Sequence, residues 1–207
     1  MYAASSEAVD QAHRKVARDL GKADAGEGWT LVYGGGGIGL MGEVARGALE
    51  HGGTVVGVIP HLLADREIAF DEVTELIRTT TMRERKQIMD ERSDAFIVLP
   101  GGIGTLEELV EMITLKQLGY HDRQIVILDD GGYWDPLIAQ LRRMVDEGLA
   151  LPGLEELWTV ATDVPGAVAA IRDYAAPGRE VATAEEVVEA VEEPPHEGRD
   201  VDNREAG

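Results

Sequence analysis

Apolar positions along this chain follow two alternating rhythms: short unbroken runs and longer stretches at helical spacing. Val9, Ala12, Val16, Ala17 and Leu20 recur on one side of a helix, which predicts helix over 7–25. Residues 29–33 form a short apolar run that leads into four glycines, so a strand is expected there. Helix over 40–51 is stopped by Gly52-Gly53, and 54–59 is again a short continuous apolar run. The alternation continues with strand over 73–78, helix over 82–92, strand over 95–99 and helix over 106–118. Strand over 125–128, helix over 136–147, strand over 157–161 and helix over 164–174 complete it, and residues 1–4 read as the end of one more strand. Strands apolar throughout belong in a parallel sheet covered on both faces. Their alternation with helices implies right-handed βαβ units. The expected fold is therefore α/β, a doubly wound parallel sheet in a three-layer αβα arrangement, forming one domain over 1–176. A chain of 207 residues is long enough for one such core and too short for two.

Beyond Pro177 the pattern dissolves. Apolar residues thin out, Glu dominates and Pro194-Pro195 interrupts, so 177–207 is expected to be a disordered acidic tail. The formal charge of −20 excludes nucleic acid as a partner, because such binding draws on Lys and Arg contacts to phosphate, and it disfavours an anionic membrane surface. No apolar run approaches the length of a membrane span, and the first residues lack a basic start followed by an apolar stretch. Cysteine is absent, which removes disulfides, thiolate metal sites and cysteine nucleophiles together. A cytoplasmic location is the expectation.

Two glycine-rich loops stand where a strand meets a helix. The first, Gly34-Gly35-Gly36-Gly37-Ile38-Gly39, satisfies G-x-G-x-x-G, in which bare backbone can approach a phosphate at a helix start. A dinucleotide site also needs an acidic residue near the tip of the next strand, and Ile59-Pro60-His61 offers none, which argues against NAD. The second loop, Pro100-Gly101-Gly102-Ile103-Gly104-Thr105, again follows an apolar strand. It lacks the lysine of a P-loop, so Walker-type ATP hydrolysis is not expected. Thr105 is a possible N-cap with Glu108 as the return partner of a capping box. That structural role competes with a catalytic one for the Glu108 carboxylate. Two bared helix starts at one sheet edge suggest an anion site between them.

A third feature is Met82-Arg83-Glu84-Arg85-Lys86-Gln87-Ile88-Met89. Met82, Arg85 and Met89 share a helix face, and an arginine among methionines suggests a held anion. The plainer alternative is a surface ion pair with Glu84 or Asp90.

Taken together, Tyr33-Gly34-Gly35-Gly36 with Gly39-Leu40-Met41-Gly42, Met82-x-x-Arg85-Lys86, and Pro100-Gly101-Gly102-x-Gly104-Thr105-x-x-Glu108 resemble the LOG (Lonely Guy) family over about residues 1–175. The resemblance implies a Rossmann-like fold and hydrolysis of the N-glycosidic bond of nucleoside 5′-monophosphates, either cytokinin riboside 5′-monophosphates or AMP. It implies no metal or other cofactor, and a homodimer. Residue by residue, it makes Arg85 and Glu108 the catalytic pair. It places Glu67, Met82, Lys86, Thr114 and the run Gly101, Gly102, Ile103, Gly104, Thr105, Leu106 and Glu107 at the substrate, with Gly35 and Gly36 from the first loop. The choice of Glu108 over Glu107 comes from the resemblance, since helical spacing leaves both open. A molybdenum-cofactor carrier on a similar fold is the alternative, which would need the phosphate cradle but not the Arg85–Glu108 pair. The chain departs from the family in three places. Its first strand is short ahead of Ser5-Ser6, implying several missing residues. Ile103 replaces a position that is often aromatic, and Gly37 one that is often larger.

Overall fold

The computed structural model describes residues 1–64 and 68–174; Glu67 and the acidic stretch 177–207 lie outside the described residues. In chain order the elements are α1 (Gln11–Glu27), β1 (Thr30–Tyr33), α2 (Gly39–Glu50), β2 (Thr54–Pro60), a short α3 (His61–Ala64) and β3 (Glu75–Thr79). There follow α4 (Met82–Glu91), β4 (Ala95–Val98), α5 (Ile103–Gln117), β5 (Gln124–Leu128), α6 (Asp135–Asp146), β6 (Thr159–Ala161) and α7 (Val164–Tyr174). The expected alternation is present. α1 starts four residues later than its apolar spacing suggested, because the Asp10 carboxylate caps it by accepting from the Ala12 N–H at 2.8 Å.

All strand pairs are parallel, in the orders β1-β2-β3 and β4-β5-β6. The first residues join the two halves. Met1 donates to the Val32 carbonyl (2.8 Å), Tyr2 donates to Ile97 and accepts from Leu99, and Ala4 donates to Pro100 (3.1 Å). Residues 1–4 thus fill the central strand position, and chain order reverses on either side of it. Such a switch point opens a crevice at the carboxyl ends of the strands.

Side chains alternate across this sheet with the period of 2 that a strand imposes. Ile97 and Leu99 enter one core with α1, α2 and α7; Phe96 and Val98 enter the other with α4, α5 and α6. The three-layer α/β expectation is met. α1 and α2 cross so closely that a side chain on Gly21 would strike the Val44 carbonyl, and one on Gly47 the Arg18 carbonyl. No helix among the described residues is long and apolar enough to cross a membrane.

At the opposite, amino, ends of the strands lies a cavity of about 750 Å³ bordered by Asp24, Thr30, Asp94 and Gln124. Asp24 is buried and its Oδ1 has no hydrogen-bond partner among the described residues. Burial pushes its carboxyl up to about 7, against the pull of the nearby Met1 ammonium. The unfolded chain therefore gives up this proton near pH 4 while the folded chain keeps it, so stability drains as pH rises toward 7 and the full penalty stands above it. Asp24→Asn should raise Tm at pH 8, by on the order of a few kcal/mol of stability, and change it little at pH 4. Thermal unfolding at the two pH values checks this, and an equal shift at both would contradict it.

Candidate active site

α4 owes its start to Thr81. The Thr81 hydroxyl accepts from the Glu84 N–H (3.1 Å) and the Glu84 carboxylate accepts from the Thr80 N–H (2.8 Å), a reciprocal cap. That start turns Arg85 and Met89 inward, both buried, and leaves Met82 45% exposed. The surface ion pair with Glu84 or Asp90 is not formed. Arg85 is only 6% exposed; its Nε donates to the Val58 carbonyl (3.1 Å) and its Nη2 to the Gly34 carbonyl (3.3 Å). Nη1 faces Glu108 Oε1 at 3.7 Å. The guanidinium fork thus grips the sheet and presents its remaining edge to Glu108.

Gly34 makes this possible. A Cβ there would run into Arg85 Nη2 and come within 2.9 Å of Met41 Sδ. Sequence reasoning singled out Gly35 and Gly36 instead. The glycine run was the signal, but which glycine meets the cation depends on where α4 docks.

Glu108 and Glu107 part ways at the next residue. Glu108 is 8% exposed and faces Arg85. Its charge reaches Tyr2, whose phenol is pushed up first by burial and then by Glu108. Glu107 is exposed and accepts from Lys86 Nζ (2.6 Å), which also pairs with Glu111 (2.9 Å). Burial works against the Lys86 charge, but these two carboxylates outweigh it and hold the ammonium above its ordinary value. Lys86 therefore ties α4 to α5, and Arg85 with Glu108 forms the inward pair.

The N-cap of α5 is Gly102, not Thr105. Thr105 lies inside the first turn, buried against Gly101, where a Cβ would collide with its side chain. The capping-box role for Glu108 falls away with that. The first bond of the helix ladder runs from the Leu106 N–H to the Gly102 carbonyl (3.0 Å), so the amides of residues 102–105 precede it. Gly102, Ile103 and Gly104 are exposed at the crevice, with Ile103 at 83%. Among the described residues nothing lies within 4 Å of a Cβ on Gly102 or Gly104, and neither has a positive φ. The fold does not require glycine at either position. A bare backbone there leaves room for close approach by a ligand.

The first glycine loop is employed differently. The Leu40 and Met41 amides donate to the Ala4 carbonyl, the Gly37 N–H to Ile68 (2.8 Å), and the Gly35 carbonyl accepts from Phe70 (3.0 Å). Gly35 and Gly36 are buried, and Gly36 bridges Ala69. The Leu40 and Met41 amides at the start of α2 are thus spent on the protein itself, whereas those of residues 102–105 at the start of α5 have no backbone partner among the described residues. Leu106 is half-buried in α5, and Thr114 lies exposed two turns further on, its hydroxyl donating to the Val110 carbonyl (2.7 Å).

Residues 41–171 match the family described as "Possible lysine decarboxylase". A cytokinin riboside 5′-monophosphate phosphoribohydrolase of Mycobacterium tuberculosis is 50% identical over 156 residues, covering 75% of this chain and 83% of the relative. The chain belongs to the LOG family. A second relative of the same description, from Rhodococcoides fascians, is 44% identical over 76% of this LOG-family chain and 80% of its own. Among solved structures, the molybdenum cofactor binding protein of Rippkaea orientalis shares the fold, with a TM-score of 0.63 at 23% identity over 82% of this chain and 92% of that one. The molybdenum cofactor carrier protein of Chlamydomonas reinhardtii aligns with a TM-score of 0.58 at 27% identity, over 80% of this chain and 89% of that one.

The glycines of the second loop separate fold from ligand. Gly101→Ala should lower Tm, by about 1–3 kcal/mol of overpacking against Thr105. Gly104→Ala should hold or raise it, by up to about 1 kcal/mol of helix propensity. Thermal melts of the two variants decide, and a Gly104→Ala variant as unstable as Gly101→Ala would contradict the assignment.

Proposed function

We propose that this chain hydrolyses the N-glycosidic bond of nucleoside 5′-monophosphates, cytokinin riboside 5′-monophosphate or AMP, to free base and ribose 5-phosphate. Its LOG-family relatives are named cytokinin riboside 5′-monophosphate phosphoribohydrolases. One observation carries the reading to this chain: a buried Arg85–Glu108 pair (3.7 Å) stands one turn from a helix start whose amides have no backbone partner among the described residues.

The 5′-phosphate sits on the amides of residues 102–105, where the positive end of the α5 dipole favours an anion. Thr105 is fixed by its packing on Gly101 and holds the turn in shape. Glu108, one turn further into the same helix, meets the ribose. As the C1′–N bond breaks with its electron pair leaving on the base, positive charge develops on the sugar. A carboxylate kept from bulk water stabilises that charge strongly and accepts the proton of the attacking water, while the departing base takes up a proton from solvent and leaves as the free base. Arg85 faces Glu108 and holds it in place while itself locked to the end of β1 and to β2. No step calls for a metal.

Glu108→Gln keeps the shape and removes the charge. It should lower kcat by about 10²–10⁴-fold with an unchanged far-UV spectrum. The readout is chromatography of adenine released from AMP, which chelator should leave unaffected in the wild type. Normal turnover by the folded variant would sink the catalytic assignment. Bound but unchanged AMP with wild-type protein would instead support the carrier reading.

The same reading includes a homodimer. Ile103, Val110 and Leu118 are exposed, at 83%, 41% and 58%, and they form one outward stripe of α5 with Thr114 among them. A second copy covering this stripe would bring Thr114 to the interface. Val110→Glu combined with Leu118→Glu should turn a dimer into a monomer in sedimentation velocity, and a wild-type protein that sediments as a monomer would rule the dimer out.

A further inference from the structure

The loop after β5 reaches across to the second glycine loop. It is preset by its own chemistry. The Asp129 carboxylate, buried at the end of β5, accepts from the Trp134 N–H (3.1 Å). Gly131 and Gly132 take φ of 94° and 78°, left-handed values that turn the chain back on itself. Trp134 is buried and packs edge-on against the Tyr133 ring at 4.9 Å between centroids, while the other neighbour of that ring is His13 of α1 at 6.4 Å. The phenol so presented donates to the Gly101 carbonyl at 2.6 Å.

That bond fixes more than a carbonyl. The Gly101 C=O and the Gly102 N–H belong to one peptide unit, which is trans, so they point in opposite directions. Holding the carbonyl on Tyr133 turns the amide away from Tyr133. The unit lies between two glycines, which oppose its rotation less than any other pair of residues. A flipped unit would aim a carbonyl dipole, instead of an amide, at an anion on the α5 start.

We propose that Tyr133 is a positioning residue of the phosphate seat: its hydroxyl pins the Gly101–Gly102 peptide with the Gly102 amide facing the anion. This rests on the reading of α5 as that seat. Tyr133 touches neither the sugar nor the base on this account, so its hydroxyl governs binding of the phosphate and leaves the chemical step alone.

The test is titration calorimetry with ribose 5-phosphate and, separately, adenine, on wild type, Tyr133→Phe and Tyr133→Leu, alongside AMP kinetics. Tyr133→Phe keeps both ring contacts and loses only the hydroxyl. It should bind ribose 5-phosphate roughly tenfold more weakly and adenine as before. Its KM for AMP should rise in step, with kcat within about twofold of wild type. Wild-type affinity for ribose 5-phosphate in Tyr133→Phe, with the loss appearing only in Tyr133→Leu, overturns the proposal in favour of ring packing. A parallel loss for adenine overturns it as well, because that marks general damage to the crevice. If wild-type protein binds ribose 5-phosphate yet releases no adenine from AMP, the hydrolase reading fails while the tyrosine proposal is still decided by the binding data.

Discussion

A buried guanidinium organises this molecule. Removing an arginine from water costs several kcal/mol unless its donors and its charge are both answered. Here Val58 and Gly34 supply two carbonyls and Glu108 supplies the opposite charge. Those partners come from β2, from the end of β1 and from α5, so one side chain fixes the relative positions of three elements around the switch point. A lysine could not do the same, since its point charge lacks the planar spread of donors that reaches both carbonyls at once. The demand passes outward from there. Gly34 must lack a side chain, Thr81 must start α4 in the right register, and Lys86, one residue on, clamps the outer edge of α4 to Glu107 and Glu111.

The two glycine loops show how little a motif says without its neighbours. Both follow a strand and open a helix, and the first is the better match to the dinucleotide pattern. Yet the Leu40 and Met41 amides at the start of α2 are taken up by Ala4, and Gly37 and Gly35 are bonded to Ile68 and Phe70. Its glycines answer packing demands: Gly34 makes way for Arg85, and Gly39, at φ 63°, lies against the turn at Ser5 and Ser6. In the second loop only Gly101 is held by packing, and Gly102 and Gly104 face open space. Where the fold makes no demand for glycine, a ligand is the better explanation.

The order of strands and helices was legible in the chain because apolar runs and helical spacing are strong local signals. The ends were less so. Asp10 delayed α1, and Gly102 rather than Thr105 began α5, because a cap depends on which backbone groups are already bonded elsewhere. Arg85 and Glu108 were visible as candidates, but residue types alone could not separate them from Lys86 and Glu107. Two adjacent basic residues on α4 face two adjacent acidic residues on α5, and helix geometry sends one pair inward and the other outward. Tyr133 carried no comparable signal. It stood in the sequence only as an aromatic at a helix entry, and its bond to Gly101 spans 32 residues.

The charge of the chain bears on how an anion is held at all. With a formal charge of −20, the protein as a whole repels a phosphate. Arg85 and Lys86 do little to reverse this, because Arg85 is answered by Glu108 and Lys86 by two carboxylates. On the proposed reading, attraction falls to backbone amides at the start of α5, whose dipoles act at short range and are fixed in direction. Short-range dipoles work only if each is aimed. Such a seat needs bare glycines so that the anion can come close, and a tether that keeps a flexible Gly–Gly peptide from turning its carbonyl inward. In a more basic protein a misaimed amide could be covered by a lysine nearby. If the start of α5 is the phosphate seat, its orientation here decides whether the site attracts or repels.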